Sequence, residues 1–329
     1  MAPNKRGAAP APSSVLSDDE VAARGRGTDE AEGSDSYDGG WAAEARVVMT
    51  GVMFLTRLPV PAGTDHHPRY LMRSTAYFPL IGAVVGLWGA AFFEAAAGLW
   101  GPGIAAAVST LATVWLTGCF HEDGLADSID GFGGGWGRAQ ILRIMRDSRV
   151  GTYALVGVAL LLQIKVAALQ ALPGATGVLV AGHCVSRWPS LPLLMACDYL
   201  EDDEFAKAGM YNIMARSQRL VTWRRLLVGT AVAVAVPLLA LGPHGALMAW
   251  AATLAVTAAS IYYCKAIIQG VVGDYIGATI QITEIAIYLA LAADWSSLAA
   301  PGGWQPVATL AAAVAVPVIW CRRVVDFAC

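Results

Sequence analysis

Apolar residues fill this chain in runs of about one membrane thickness, and the polar residues fall between the runs in two alternating kinds of connection. A bilayer core needs about 20 predominantly apolar residues per helical span. Stretches of that size lie near 77–100, 103–120, 153–172, 175–197, 226–242, 245–267, 279–299 and 306–320. The pattern therefore predicts an all-α fold, a polytopic integral membrane bundle of about eight transmembrane helices.

One kind of connection is short and almost uncharged: GPG at 101–103, PGA at 173–175, GPHG at 242–245 and APGGWQP at 300–306. The other carries nearly every charge: the segment before Tyr77, then 121–152, 198–225, 270–278 and the tail CRRVVDFAC. Lys and Arg beside membrane helices stay mainly on the cytoplasmic side. The expectation is a multi-pass protein of the cell (inner) membrane with both termini and the charged loops cytoplasmic. The apolar stretch 44–61 is short and runs into Arg57, Pro59 and Pro61, which suits an interfacial or re-entrant helix better than a ninth span.

Composition agrees with a membrane setting. Hydrophobic residues make up 56% of the 329 and charged residues 14%, against roughly a quarter charged in soluble domains. A net charge of -3 leaves no basic footprint for nucleic acid. Residues 1–40 are rich in Ala, Pro, Gly, Ser and acidic groups without apolar period, and read as a disordered tail ahead of a single transmembrane catalytic domain, 41–329. No apolar core follows the early basic residues, so a cleaved signal peptide is not expected. The six cysteines are dispersed without a CxxC pair and read as small buried hydrophobes.

Candidate chemistry concentrates in FHEDGLADSIDGFGGGWG, 120–137. If the second span continues through it, Asp123, Asp127 and Asp130 share one helical face at i, i+4 and i+7. Carboxylates held so close repel one another unless a cation joins them. Hard oxygen donors favour Mg²⁺. Glu122 lies off that face and suits a second metal or a base role, and His121 a hydrogen bond or a base role; the general base stays open among Glu122, His121 and Asp130. A solvated acidic loop is the simpler alternative, but it would not need the apolar residues Leu125, Ala126 and Ile129 between the carboxylates.

A glycine-rich turn is expected next, with Gly133 and Gly134 among those that let backbone N–H groups approach an oxyanion. The following RAQILRIMRDSRVGTY supplies Arg138, Arg143, Arg146 and Arg149, with Asp147 and Ser148 between them. Arginine suits bidentate phosphate contacts. Carboxylates, glycines and arginines together point to phosphoryl transfer, where metal and positioning supply most of the catalysis.

The chain resembles the cobalamin synthase family in FLTRLPVP (54–61), YFPLIGAVVG (77–86), FHEDGLADSIDGFGGG (120–135), IMRDSRVGTY (144–153), SRW (186–188) and GDYIGATIQITE (273–284). Ser128 stands where a Thr would be more usual. The resemblance implies a Mg²⁺-dependent reaction of adenosylcobinamide-GDP with α-ribazole or its 5'-phosphate. A ribose hydroxyl would attack the phosphorus on the cobinamide arm, GMP would leave, and adenosylcobalamin or its phosphate would form. The metal set expected is Asp123, Asp127, Asp130, Glu122 and Asp147. The substrate set is Arg146, Arg149, Ser148, Arg187, Asp274, Glu284, Gly133 and Gly134. Partners expected are the two substrates and the lipid bilayer, with no nucleic acid and room for a homo-oligomer.

Lys165, His183, Arg187 and Glu284 fall inside expected spans, where ionisable groups are expensive and often functional. Arg187 is expected to face the site and bind phosphate, and Glu284, one turn into the span that follows Asp274 and Gly277, to reach a metal or substrate hydroxyl. His183 suits a buried hydrogen bond, and Lys165 an ion pair with a neighbouring helix. Two alternatives remain: a CDP-alcohol phosphatidyltransferase, whose DxxDGxxAR pattern is only partly echoed, and an ion-coupled transporter, which would carry its carboxylates near the midplane.

Overall fold

A computed structural model describes residues 37–64, 67–200 and 208–296. The expected tail before residue 37, most of the acidic stretch after Leu200 and the expected span 306–320 lie outside the described residues. Residues from Glu44 onward form one compact unit; Met1–Ala43 is a separate unit, described only from residue 37.

Every regular element described is helical: α1 Trp41–Leu55, α2 Pro68–Ser74, α3 Phe78–Trp100, α4 Pro102–Thr117, α5 Phe120–Gly134, α6 Arg138–Met145, α7 Thr152–Ala171, α8 Ala175–Val185, α9 Ser190–Ala196, α10 Ala208–Ser217, α11 Trp223–Ile267 and α12 Gly273–Ala292, with short 3-10 turns at Thr75–Tyr77 and Gln218–Leu220. A single β-bridge joins Tyr199 to Val271.

Four helical stretches are long and apolar enough to cross a membrane: Pro68–Trp100, Thr152–Ala171, Trp223–Ile267 and Gly273–Ala292. The pair α4 and α5 makes a fifth only if its 91° bend is counted as one broken span. The chain is thus a helical membrane protein, and the described residues give four or five candidate spans where the sequence suggests eight.

Two of the Pro/Gly connections form tight reversals with the same backbone. Gly101 (φ 78°, ψ 174°) precedes Pro102, and Gly242 (φ 71°, ψ 178°) precedes Pro243. Positive φ suits glycine, and proline suits the first position of the next helix. Within α11 the reversal shows in one hydrogen bond: Trp250 Nε1–H donates to the Ala233 carbonyl at 3.1 Å. Seventeen residues of straight helix would separate them by about 25 Å. The segments expected at 226–242 and 245–267 are therefore two arms of a hairpin.

Three expected spans differ in detail. The helix of 103–120 does not continue into the carboxylate motif, because Gly118 (φ 67°) and Cys119 (φ 58°) turn the chain and α5 starts afresh. The 175–197 stretch breaks into α8 and α9 around Pro189. The 279–299 span begins six residues early, at Gly273, so Glu284 is the twelfth residue of α12 and sits about 16 Å along it.

Close backbone contact organises the bundle. A Cβ on Gly82 would lie 2.1 Å from the His183 carbonyl oxygen, and one on Gly86 would lie 2.5 Å from that of Leu179. Those two glycines, four apart in α3, let it lie directly on α8, as small residues do between membrane helices. Around that contact Phe93, Ala105, Leu169, Leu179 and Tyr288 form one buried core; Met72, Trp188, Leu191, Ile268 and Tyr275 belong to a second.

Candidate active site

α5 carries the acidic motif and is wedged between α12 and α7 by its glycines. A Cβ on Gly124 would stand 2.7 Å from the backbone oxygen of Asp274, and one on Gly133 would stand 2.8 Å from the Tyr153 ring. Gly133 and Gly134 lie in the last turn of α5, and the chain leaves the helix at Gly135. The glycine-rich turn expected from the sequence is thus mostly helix, and Gly133 serves close packing.

The shared helical face of Asp123, Asp127 and Asp130 is present, but the three carboxylates meet different surroundings. Asp123 is exposed, Asp127 half-buried and Asp130 buried. Both Asp130 oxygens are engaged: Gly151 N–H donates to Oδ2 at 2.6 Å and Ala154 N–H to Oδ1 at 2.8 Å. Asp130 caps the first turn of α7, where orphan N–H groups and the helix dipole favour an anion.

Asp127 sits in the field of three other carboxylates, with Asp274 the strongest, then Asp123 and Asp130. Asp274, from the first turn of α12, is brought there by the Gly124 contact. The sequence placed Asp274 among the substrate residues; the fold sets it beside the acidic face of α5, nearly 150 positions away. Among the described residues no three His, Cys, Asp or Glu stand close enough to hold a metal ion between them. Mg²⁺ seldom uses an all-protein cage and keeps water and substrate phosphate as ligands, so a partial set of hard oxygen donors around Asp127 fits that ion.

Asp147 lies between α6 and α7, paired to the exposed Arg149 at 2.6 Å. Hydrogen bonds from the Arg149 side chain and backbone pull the Asp147 carboxyl down to about 2. Ser148 beside it is exposed and Arg146 half-buried. Arg138 reaches back to the Ile268 carbonyl at 2.8 Å and ties the start of α6 to the end of α11.

A separate polar network lies inside the bundle, centred on Glu284. Its Oε1 is 2.7 Å from Lys165 Nζ and accepts from the Tyr288 hydroxyl at 3.0 Å; its Oε2 accepts from Arg187 at 2.9 Å. His183 Nδ1 stands 3.2 Å from Oε2, outside hydrogen-bond geometry. Gln281 bridges outward, accepting from Lys165 at 3.4 Å and donating to Glu122 Oε1 at 2.7 Å. Two cations thus stand against two carboxylates, Glu284 and Glu122, in surroundings where an unpaired charge would be costly. Arg187 and Glu284, expected at the substrate, are spent on each other, and Lys165 does make its cross-helix pair. Tyr288 and Gln281 were not singled out from sequence; their positions four after and three before Glu284, on the same helical face, were the available signal.

His121 is buried within the field of Arg187, Glu284 and Lys165, with neither ring nitrogen hydrogen-bonded. The three candidate bases differ in their contacts: His121 is buried without a hydrogen bond, Glu122 accepts from Gln281 and Asp130 caps α7.

Fold and site together define a helical membrane protein with a carboxylate cluster where α5 meets the start of α12. Residues 47–292 match the family described as Cobalamin-5-phosphate synthase, and the chain belongs to that family. A Leptothrix cholodnii protein named adenosylcobinamide-GDP ribazoletransferase is 37% identical over 260 residues, covering 77% of this chain and 97% of that protein. Proteins of the same name from Ralstonia nicotianae (37% over 258 residues, 77% and 96% covered) and Shewanella amazonensis (34% over 258, 77% and 97%) are similar in extent. No solved structure matches. These names agree with the transferase resemblance seen in the motifs and do not favour a phosphatidyltransferase or a transporter.

Proposed function

We propose that this chain transfers the adenosylcobinamide phosphate group from adenosylcobinamide-GDP to α-ribazole or its 5'-phosphate and releases GMP. The carrying observation is the packing of Asp274 against the acidic face of α5 through the Gly124 contact, within the motifs that identify the family. The ribose hydroxyl forms the new P–O bond, the P–O bond to GMP breaks, and the hydroxyl proton passes to a carboxylate of the cluster.

Asp127, with either Asp123 or Asp274, would hold Mg²⁺ alongside water and substrate oxygens, and the ion would neutralise charge on the pyrophosphate. The exposed Arg143, in the last turn of α6, and Arg149, just before α7, would orient the departing phosphate. The buried network of Glu284, Lys165 and Arg187 fixes α12 against α7 and the α8–α9 break, which keeps Asp274 in register with Asp127. The arginine-bearing loop between α5 and α7 argues for a site facing the cytoplasm across the inner membrane.

The test is GMP release by the purified protein from adenosylcobinamide-GDP and α-ribazole phosphate with Mg²⁺, repeated with a chelator. Release that requires both substrates and stops on chelation supports the proposal. Release insensitive to chelation removes the metal from it.

A further inference from the structure

Beside the carboxylate cluster, the walls of α1, α2, α9 and the start of α12 enclose a cleft of about 490 Å³, open space at its mouth included. Its described lining is apolar almost throughout, with Phe54, Phe78, Leu194, Ile276 and Ile280 prominent, and no Lys, Arg, Asp or Glu is among the described lining residues. Phe54 and Phe120 meet edge-on in the wall with ring centroids 4.8 Å apart.

Four polar side chains break this wall; Thr75 donates to the Met72 carbonyl and Tyr199 to the Met214 sulfur, which leaves His121 and Ser190. They are 1% and 0% exposed, and neither ring nitrogen of His121 nor the Ser190 hydroxyl has a hydrogen-bond partner. Buried polar groups without partners are rare and point to a missing ligand or water. The cleft is also well placed: Gly273 and Gly277 in its wall flank Asp274, and Phe120 and His121 immediately precede the acidic face of α5.

We propose that this cleft seats the bicyclic aromatic base of the ribazole substrate, with His121 donating to the base's unsubstituted ring nitrogen and the Ser190 hydroxyl pairing with a hydroxyl of the attached ribose; the inference rests on the ribazole-transfer reading above. An N-glycosylated benzimidazole is flat and apolar, with one acceptor nitrogen and no donor. Neutral imidazole presents one N–H, so the match is one donor to one acceptor. Guanine presents several donors and acceptors, more than His121 and Ser190 can satisfy. A phospholipid headgroup would find no cation among the described lining residues. With the base in the cleft, the attached ribose projects toward Asp274 and Asp127, where its hydroxyl is needed.

The experiment measures binding of α-ribazole to the full-length detergent-solubilised protein, from fluorescence of the base, together with GMP release while each substrate is varied. The unaltered protein is expected to bind α-ribazole about tenfold or more tightly than an analogue in which the free ring nitrogen is replaced by C–H. His121→Phe should close that gap, since it removes the donor the analogue cannot use. Ile280→Phe, which narrows the cleft, should raise KM for α-ribazole by about tenfold while leaving KM for adenosylcobinamide-GDP unchanged. Ser190→Ala, the mildest change, should raise the same KM severalfold and covers the case in which the larger substitutions unfold the protein.

Equal binding of the two analogues by the unaltered protein would overturn the assignment. So would a cleft-filling variant that impairs adenosylcobinamide-GDP alone. A protein that releases no GMP with α-ribazole at all removes the transfer reading itself, whereas normal transfer with binding indifferent to the cleft removes only this inference.

Discussion

Lys165 Nζ lies 2.7 Å from Glu284 Oε1, 1% and 0% exposed, so two charges from α7 and α12 neutralise each other inside the bundle. Removing one partner of a buried pair costs about 3–5 kcal/mol, because the other is left uncompensated. Lys165→Met is therefore expected to destabilise the protein by about 3 kcal/mol, less whatever Arg187 recovers. Adding Glu284→Gln to Lys165→Met should restore part of the loss. Thermal unfolding of the two variants in the same detergent checks the order.

Asp127 and Asp130 separate two roles that share one helical face. Asp127→Asn is expected to lower transfer by about a hundredfold or more, the scale of losing a group that stabilises charge in the transition state. Asp130→Asn replaces one capping oxygen with an N–H₂ that cannot accept, so it should cost about 1 kcal/mol of stability and a smaller part of the rate. Rates normalised to folded protein distinguish the two; near-normal activity of Asp127→Asn would remove the carboxylate cluster from the chemistry.

Gly124→Ala places a methyl group 2.7 Å from the Asp274 carbonyl oxygen. Backbone cannot yield as a flexible side chain does, so α5 and α12 should part at an expected cost of about 1–3 kcal/mol. Because the same contact aligns Asp127 with Asp274, activity should fall more than stability. Gly134→Ala, whose added atom would meet nothing closer than Ile144 Cδ1 at 3.7 Å, is the matched control and should be nearly neutral in both measurements.

The Asp147–Arg149 pair makes a pH prediction with a definite sign. Arg149 holds the folded-state Asp147 carboxyl at about 2, below the unperturbed value of about 4. The pairing is therefore fully present above the unperturbed value and lost only as pH falls through the folded one. Any decline of transfer between neutral pH and about pH 5 must come from other groups. Asp147→Asn should leave the position of that acid limb unchanged in a pH–rate profile; a limb that moves with this substitution would contradict the assignment.

The sequence by itself determined the class of fold, the two Gly-Pro reversals, the helical register of Asp123, Asp127 and Asp130, and the family. Each of these is local: apolar run length, the φ preference of glycine and the 3.6-residue period are written within about 20 consecutive positions. Tertiary packing decided which groups meet. It turned the chain at Gly118 and Cys119, capped α7 with Asp130, started α12 at Gly273 and drew Asp274 to Asp127 through Gly124. It also committed Arg187 and Glu284 to one another and left His121 and Ser190 unpaired in an apolar wall. Those outcomes depend on contacts between residues as much as 150 positions apart, and the energies that fix them, a glycine-sized gap or a buried charge needing a partner, have no signature in the local pattern.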